Sequence, residues 1–172
     1  MGGTTHLVRR FFGSLKPGGP AEADRAWVEA TLSEAEYGLW RRMSGPDRRH
    51  SVQVGRDVER MLGNEATVPV LAAALLHDVG KIDADLGTWG RVIATLSAKV
   101  AGRDAAKLWI KSNGFTRKVG LYLHHPEVGA DMLELAGSDP LTVSWTEEHH
   151  RPPEEWTLPA NITAALTAAD ND

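Results

Sequence analysis

The chain has no cysteine among its 172 residues. That excludes a disulfide framework, thiolate catalysis and any zinc or iron–sulfur site built on sulfur. A long apolar run is also missing. The longest, VPVLAAALL over Val68–Leu76, is far short of the ~20 residues that cross a bilayer. The opening stretch, MGGTTHLVRRFFGSLKPGGP, carries no apolar core and does not read as a secretory signal. There is no excess of positive charge, since 19 Lys and Arg face 23 Asp and Glu for a net charge of −4. That argues against general nucleic-acid binding by bulk charge. These absences lead to the expectation of a cytoplasmic protein with no membrane partner.

Alternating β-branched patterns, internal repeats and low-complexity tracts are lacking too, while helix signals recur throughout. Pro20 opens AEADRAWVEATL, and Ser33 with Glu36 forms a capping-box pattern before EAEYGLWRRM. Asp47 precedes RRHSVQVGRDVERML, which Gly63 ends. Pro69, Thr88, Pro126, Pro140 and Pro159 start or restart further helical runs, and RDAAKLWIKS and TRKVGLYLHH lie between them. The fold expected is all-α, a helical bundle with residues 1–20 as a flexible arm and 21–172 as one domain. Most of the tryptophans are expected in the core. Arg41, Arg42, Arg48, Arg49, Arg56 and Arg60 read as a solvated helical face, with Arg49 the weak candidate for a phosphate contact.

The chemistry concentrates in histidine. Six of the seven histidines fall at His50, His77, His124-His125 and His149-His150, most of them at expected helix ends; His6 lies in the arm. His77 stands beside Asp78, and adjacent residues on a regular helix point about 100° apart. Such pairs converge on one centre only near a helix terminus, or when they serve neighbouring metals. Asp170 ends the apolar run ITAALTAAD and supplies a further carboxylate. Nitrogen and carboxylate ligands without thiolate suit manganese, iron, cobalt, nickel or zinc.

A first His, then an HD pair on the next helix, then a late Asp, resembles the ligand order of the HD-domain metal-dependent phosphohydrolase superfamily. Here these are His50, His77, Asp78 and Asp170. HDVGK, HHPEVGADML and the His149-His150 pair resemble the corresponding segments of the HD-GYP cyclic-dinucleotide phosphodiesterases. The chain departs from that pattern after His150, where RPPEEWTLPAN replaces a GYP-containing loop, and between Gly87 and Asn113, where it is longer. The resemblance implies an HD-type bundle with its metal site between helix ends. It also implies hydrolysis of a phosphoester, a nucleotide or phosphodiester, by a metal-bridged hydroxide. One divalent transition metal would take His50, His77, Asp78 and Asp170; a second would share Asp78 and take His125, His149 and His150. Lys81, after a turn that Gly80 permits, is the expected catalytic partner of Asp78, either stabilising phosphate charge or protonating the leaving group. His124 is expected to support the site without ligating.

Three alternatives stay open. A mixed-valent diiron oxygenase of the same superfamily would use His50, His77, Asp78, His125, His149 and Asp170. A mononuclear nucleotidase would use His50, His77, Asp78 and Asp170 alone. A non-catalytic metal- or nucleotide-binding regulatory module would keep the site for binding only.

Overall fold

A computed structural model describes residues 18–84 and 109–171. Most of the expected arm, Trp89, and the run beginning at Thr88 lie outside the described residues. So does most of RDAAKLWIKS.

Every regular element among the described residues is helical, so the protein is all-α as expected. In chain order the helices are α1 (Glu22–Thr31), α2 (Glu34–Arg42), α3 (Gly45–Leu62), α4 (Val68–Leu76), the short α5 (Lys81–Ala84), α6 (Gly114–Leu123), α7 (His125–Ala136), α8 (Pro140–Glu148) and α9 (Ala160–Asn171). Single 3-10 turns, Gly63–Glu65 and Pro153–Glu155, follow α3 and α8. No helix among the described residues is long and apolar enough to cross a membrane.

The bundle is organised around α4. Every residue from Val70 to Leu76 is buried, so this helix has no polar face. Sequence explains why. Leu, Val and Ala fill all sides of the run, and α1, α2, α3 and α8 each find an apolar side to pack on. Its Leu75 and Leu76 meet Trp40, Val28 and Leu133, while Val70, Leu71 and Ala74 meet Val58, Trp145 and Leu166. A helix shared by two core clusters is held by packing on both sides. Truncating Leu75, which is fully buried, to alanine is expected to cost about 3 kcal/mol.

The caps follow local chemistry. Ser33 and Glu36 form the reciprocal capping box before α2. Asp139 accepts from the Leu141 amide at the start of α8. At α3 the structure corrects the expectation. Ser44 is the cap and accepts from the Asp47 amide, so the helix begins at Gly45 and His50 falls in its second turn. Asp47 is a first-turn residue whose carboxylate accepts from the Ser44 hydroxyl at 2.6 Å. Of the tryptophans, Trp40 and Trp145 are buried, while Trp27, Trp109 and Trp156 are half-buried against the core clusters. The arginine face is largely solvated pairing: Arg56 lies over the Trp27 ring and bonds Glu59, and Arg60 pairs with Asp57.

Candidate metal centre

Helix ends deliver most of the expected ligands to one place. Buried α4 stops at Leu76, and His77 and Asp78, 2% and 3% exposed, occupy the turn that follows. His125 opens α7 directly after α6 has ended. His149 caps the C-terminus of α8 and His150 follows it. Packing of α9 against α3 brings Asp170 to His50, with Asp170 Oδ1 2.9 Å from His50 Nε2.

One local device recurs. His77, His125 and His149 each place Nδ1 on the carbonyl three residues back, at Ala74 (2.9 Å), Tyr122 (2.7 Å) and Thr146 (2.8 Å). A carbonyl only accepts, so each Nδ1 carries the proton and donates. Each Nε2 is left facing inward, and all three are buried without a hydrogen-bond partner. The second nitrogen of a metal-binding histidine is usually anchored in this way. His124 makes a comparable bond to the Gly120 carbonyl and stays outside the cluster, as expected of a supporting residue.

The ligand atoms sort into two groups, one of Asp78, His125, His149 and His150, the other of His50, His77 and Asp78. Within each group, one donor atom from every residue lies within 4.8 Å of the others. Asp78 belongs to both. Its Oδ1 faces His125 Nε2 at 3.2 Å and His149 Nε2 at 4.0 Å, and its Oδ2 faces His77 Nε2 at 3.5 Å. Asp170, expected as a ligand, is not one of that group but lies beside it, its Oδ1 3.6 Å from His77 Nε2. The His149 and His150 rings lie 4.0 Å apart, and His150 is 5.1 Å from His125.

Electrostatics divides the cluster. Burial alone would hold His77 neutral, but Asp78 and Asp170 outweigh it and raise His77 to about 9. Burial pushes His125 down, and the Lys81 cation opposes the pull of Asp78 there. Burial together with neighbouring histidines lowers His149 to about 2. His150 is exposed on its outer side, yet partial burial of its ring and the nearby His125 bring it to about 4. Desolvation opposes ionisation of both carboxylates, but Lys81 and His77 hold Asp78 well below the ordinary range, and His50 and His77 do so for Asp170.

These residues fit a bound cation on their own geometry. His125 Nε2 is a bare lone pair 3.2 Å from a carboxylate oxygen, with no proton between two acceptors. A cation between them turns that repulsion into ligation, and the same holds for His149. The donor set is nitrogen and oxygen only, which suits first-row transition ions. A buried His/Asp cluster able to hold metal is therefore present.

No family model matches this chain, and no curated protein and no solved structure matches it.

Two glycines make the convergence possible. A Cβ on Gly80 would stand 2.0 Å from the His125 carbonyl oxygen and 2.6 Å from the Gly129 amide nitrogen. A Cβ on Gly129 would meet Val79, the Gly80 nitrogen and Thr146. The turn bearing His77-Asp78 thus lies directly on the first turn of α7 that bears His125. This corrects the expected role of Gly80. Its φ is not among the positive ones, so the glycine is needed for close backbone approach and not to permit a turn.

Lys81 stands where expected, its ammonium donating to Asp78 Oδ2. Burial opposes its charge, but Asp78, Tyr122 and Asp47 more than compensate and raise it above the ordinary lysine value. Arg49, one residue before His50, donates to the Gly18 carbonyl and is not one of the ligands. Gly129 is the glycine of the HHPEVGADML segment, while Tyr122 contributes to the site without a signal of its own in the sequence. Tyr122 supplies the carbonyl that anchors His125 and a ring 5.8 Å from Lys81 Nζ.

Proposed function

We propose that the protein is a metal-dependent phosphohydrolase that binds two divalent transition ions and acts on a small phosphorylated substrate, a nucleotide or phosphodiester. The observation that carries this reading is the single Asp78 carboxylate presenting one oxygen to His125 and His149 and the other to His77. A shared carboxylate of that kind suits a pair of ions about 3.5–4 Å apart. When bound, such ions supply Lewis-acid stabilisation of phosphoryl charge and bring the ionisation of water towards neutral pH.

The chain's own groups divide the remaining work. Asp78 and Asp170 set the anionic charge of the site, and the carbonyl anchors hold the Nε2 atoms of His77, His125 and His149 fixed towards it. Lys81 is charged at neutral pH because Asp78 raises it against the cost of burial. A lysine held this way is a poor proton donor, which favours charge stabilisation at a phosphate oxygen over protonation of the leaving group. His150, the seventh candidate ligand, favours hydrolysis over the oxygenase alternative, whose six-ligand set does not use it.

The test combines metal analysis of protein purified without chelators with a screen of phosphodiesters and nucleotides in added manganese. Two ions per chain with manganese-dependent phosphate release is the expected result. A mixed-valent diiron signal would replace the hydrolase with the oxygenase. One ion, with activity surviving His125→Ala, would indicate the mononuclear nucleotidase. Two ions with no turnover across the screen would favour the regulatory module.

A further inference from the structure

Tyr122 lies at the end of α6, three residues before the ligand His125. Its carbonyl accepts from His125 Nδ1, and a spacing of three residues carries both side chains to the same side of the chain. The two rings stand 5.8 Å apart with 36° between their planes. The Tyr122 ring is also 5.8 Å from Lys81 Nζ, within cation–π range. The exposed His150 ring lies 5.1 Å from the same His125, so Tyr122, Lys81 and His150 line the side of the centre that solvent reaches. The body of Tyr122 is half-buried against the apolar cluster of Ala84, Val119 and Leu121. A tyrosine so placed ordinarily gives its hydroxyl to a chain acceptor or to bulk water. Among the described residues nothing accepts from the Tyr122 hydroxyl. Tyr37, the chain's other tyrosine, packs instead on Trp40 and Arg41.

We infer that Tyr122 touches the substrate, its hydroxyl donating a hydrogen bond to the leaving oxygen of the phosphoester. The inference rests on the hydrolase reading above and adds a catalytic residue to it. As hydroxide adds to phosphorus, the bond to the leaving oxygen breaks and that oxygen keeps the electron pair. Charge gathering there needs a donor. Lys81, held charged beside Asp78, serves the phosphoryl oxygens and yields its proton poorly. A phenol O–H donates without ionising, and the departing oxyanion takes its own proton from water. Burial opposes the Lys81 charge while Asp78 and then Tyr122 support it, which puts the phenol oxygen on the Lys81 side of the ring. Phenylalanine would fill the apolar cluster equally well, so the hydroxyl is the feature to test.

Two diesters of similar shape, diphenyl phosphate and bis(p-nitrophenyl) phosphate, separate a leaving-group contact from general damage, because nitrophenolate departs with little help. In the manganese-loaded full chain, Tyr122→Phe should lower kcat about tenfold to a hundredfold on diphenyl phosphate and no more than about threefold on the nitrophenyl diester. Calorimetric binding of manganese, and of inorganic phosphate as a probe without a leaving group, should match wild type, with circular dichroism unchanged. Equal losses on the two diesters, or weaker phosphate binding, would mean that the hydroxyl serves another atom, and either overturns the inference. So does wild-type kcat on both diesters. A wild type that cleaves only the nitrophenyl diester gives the leaving oxygen no help, and this too overturns it. A wild type that binds two ions but turns over neither diester and no nucleotide overturns the hydrolase reading, and the inference with it.

Discussion

The two sides of Asp78 are built differently. One side, His50, His77 and Asp170, is rich in carboxylate and comes from helix pairs distant in the chain. The other, His125, His149 and His150, is rich in histidine and comes from helix ends joined by a backbone crossing. Without metal the first side holds protons: His77 is held charged to about 9, and His50 Nε2 donates to Asp170. The second side stays neutral, and the Nε2 atoms of His125 and His149 are bare. The first side must therefore exchange a proton for a cation, and the second is already in its ligating state.

Asp78→Asn should have the largest effect, because it removes the anion common to both sides. Metal content is expected to fall from two ions to none. Lys81, left buried without its counter-charge, should make the fold less stable by about 3 kcal/mol in denaturant titration. Retention of a tightly held ion on either side would show that the two sides do not depend on a shared carboxylate.

Gly80→Ala comes next. The added methyl has no room against the His125 carbonyl, so the turn and α7 must separate. The expected cost is about 3 kcal/mol, with both ions weakened together. Weakening of one ion only would place the crossing on one side of the centre.

The pH response separates the sides without mutation. In the metal-free protein His77 is raised above its ordinary 6.5, so the stability it contributes is complete below that pH and lost as the pH climbs towards about 9. His149 and His150 are depressed to about 2 and about 4. Below 6.5 the unfolded chain takes up protons there that the folded chain refuses, so stability also falls on acidification. The melting temperature of the metal-free protein should therefore peak near neutrality. Metal binding at pH 7.5 should release a proton from the His77 side, read by calorimetry in buffers of different ionisation enthalpy. Binding without proton release would contradict the division.

His150→Ala should have the smallest effect. This exposed residue is expected to alter stability by no more than about 0.5 kcal/mol while weakening one ion only.

Much of the centre was legible in the sequence because helix ends carry visible signals. Pro, Gly and capping residues flag the termini, and His77, His125, His149 and His150 fall beside them. Asp170 was legible as a carboxylate at the end of an apolar run. The start of α3 is ambiguous in the sequence, because Ser44 and Asp47 are both competent caps and only their mutual hydrogen bonds decide between them. That glycine is needed at position 80 is legible in the sequence but the reason is not, since single-chain spacing suggests turns and cannot reveal a neighbouring backbone arriving from α7. The Glu148–Thr157 contact is not legible in the sequence for a related reason. It depends on where the chain returns after two prolines, and neither residue type in that setting signals a partner nine positions away.

The central claim is that two ions share Asp78, and anomalous diffraction from crystals of the manganese-loaded protein tests it most directly. The account predicts two peaks about 3.5–4 Å apart, one on each side of the Asp78 carboxylate, with His77 on one and His125 on the other. A single peak, or two that do not share Asp78, would contradict it.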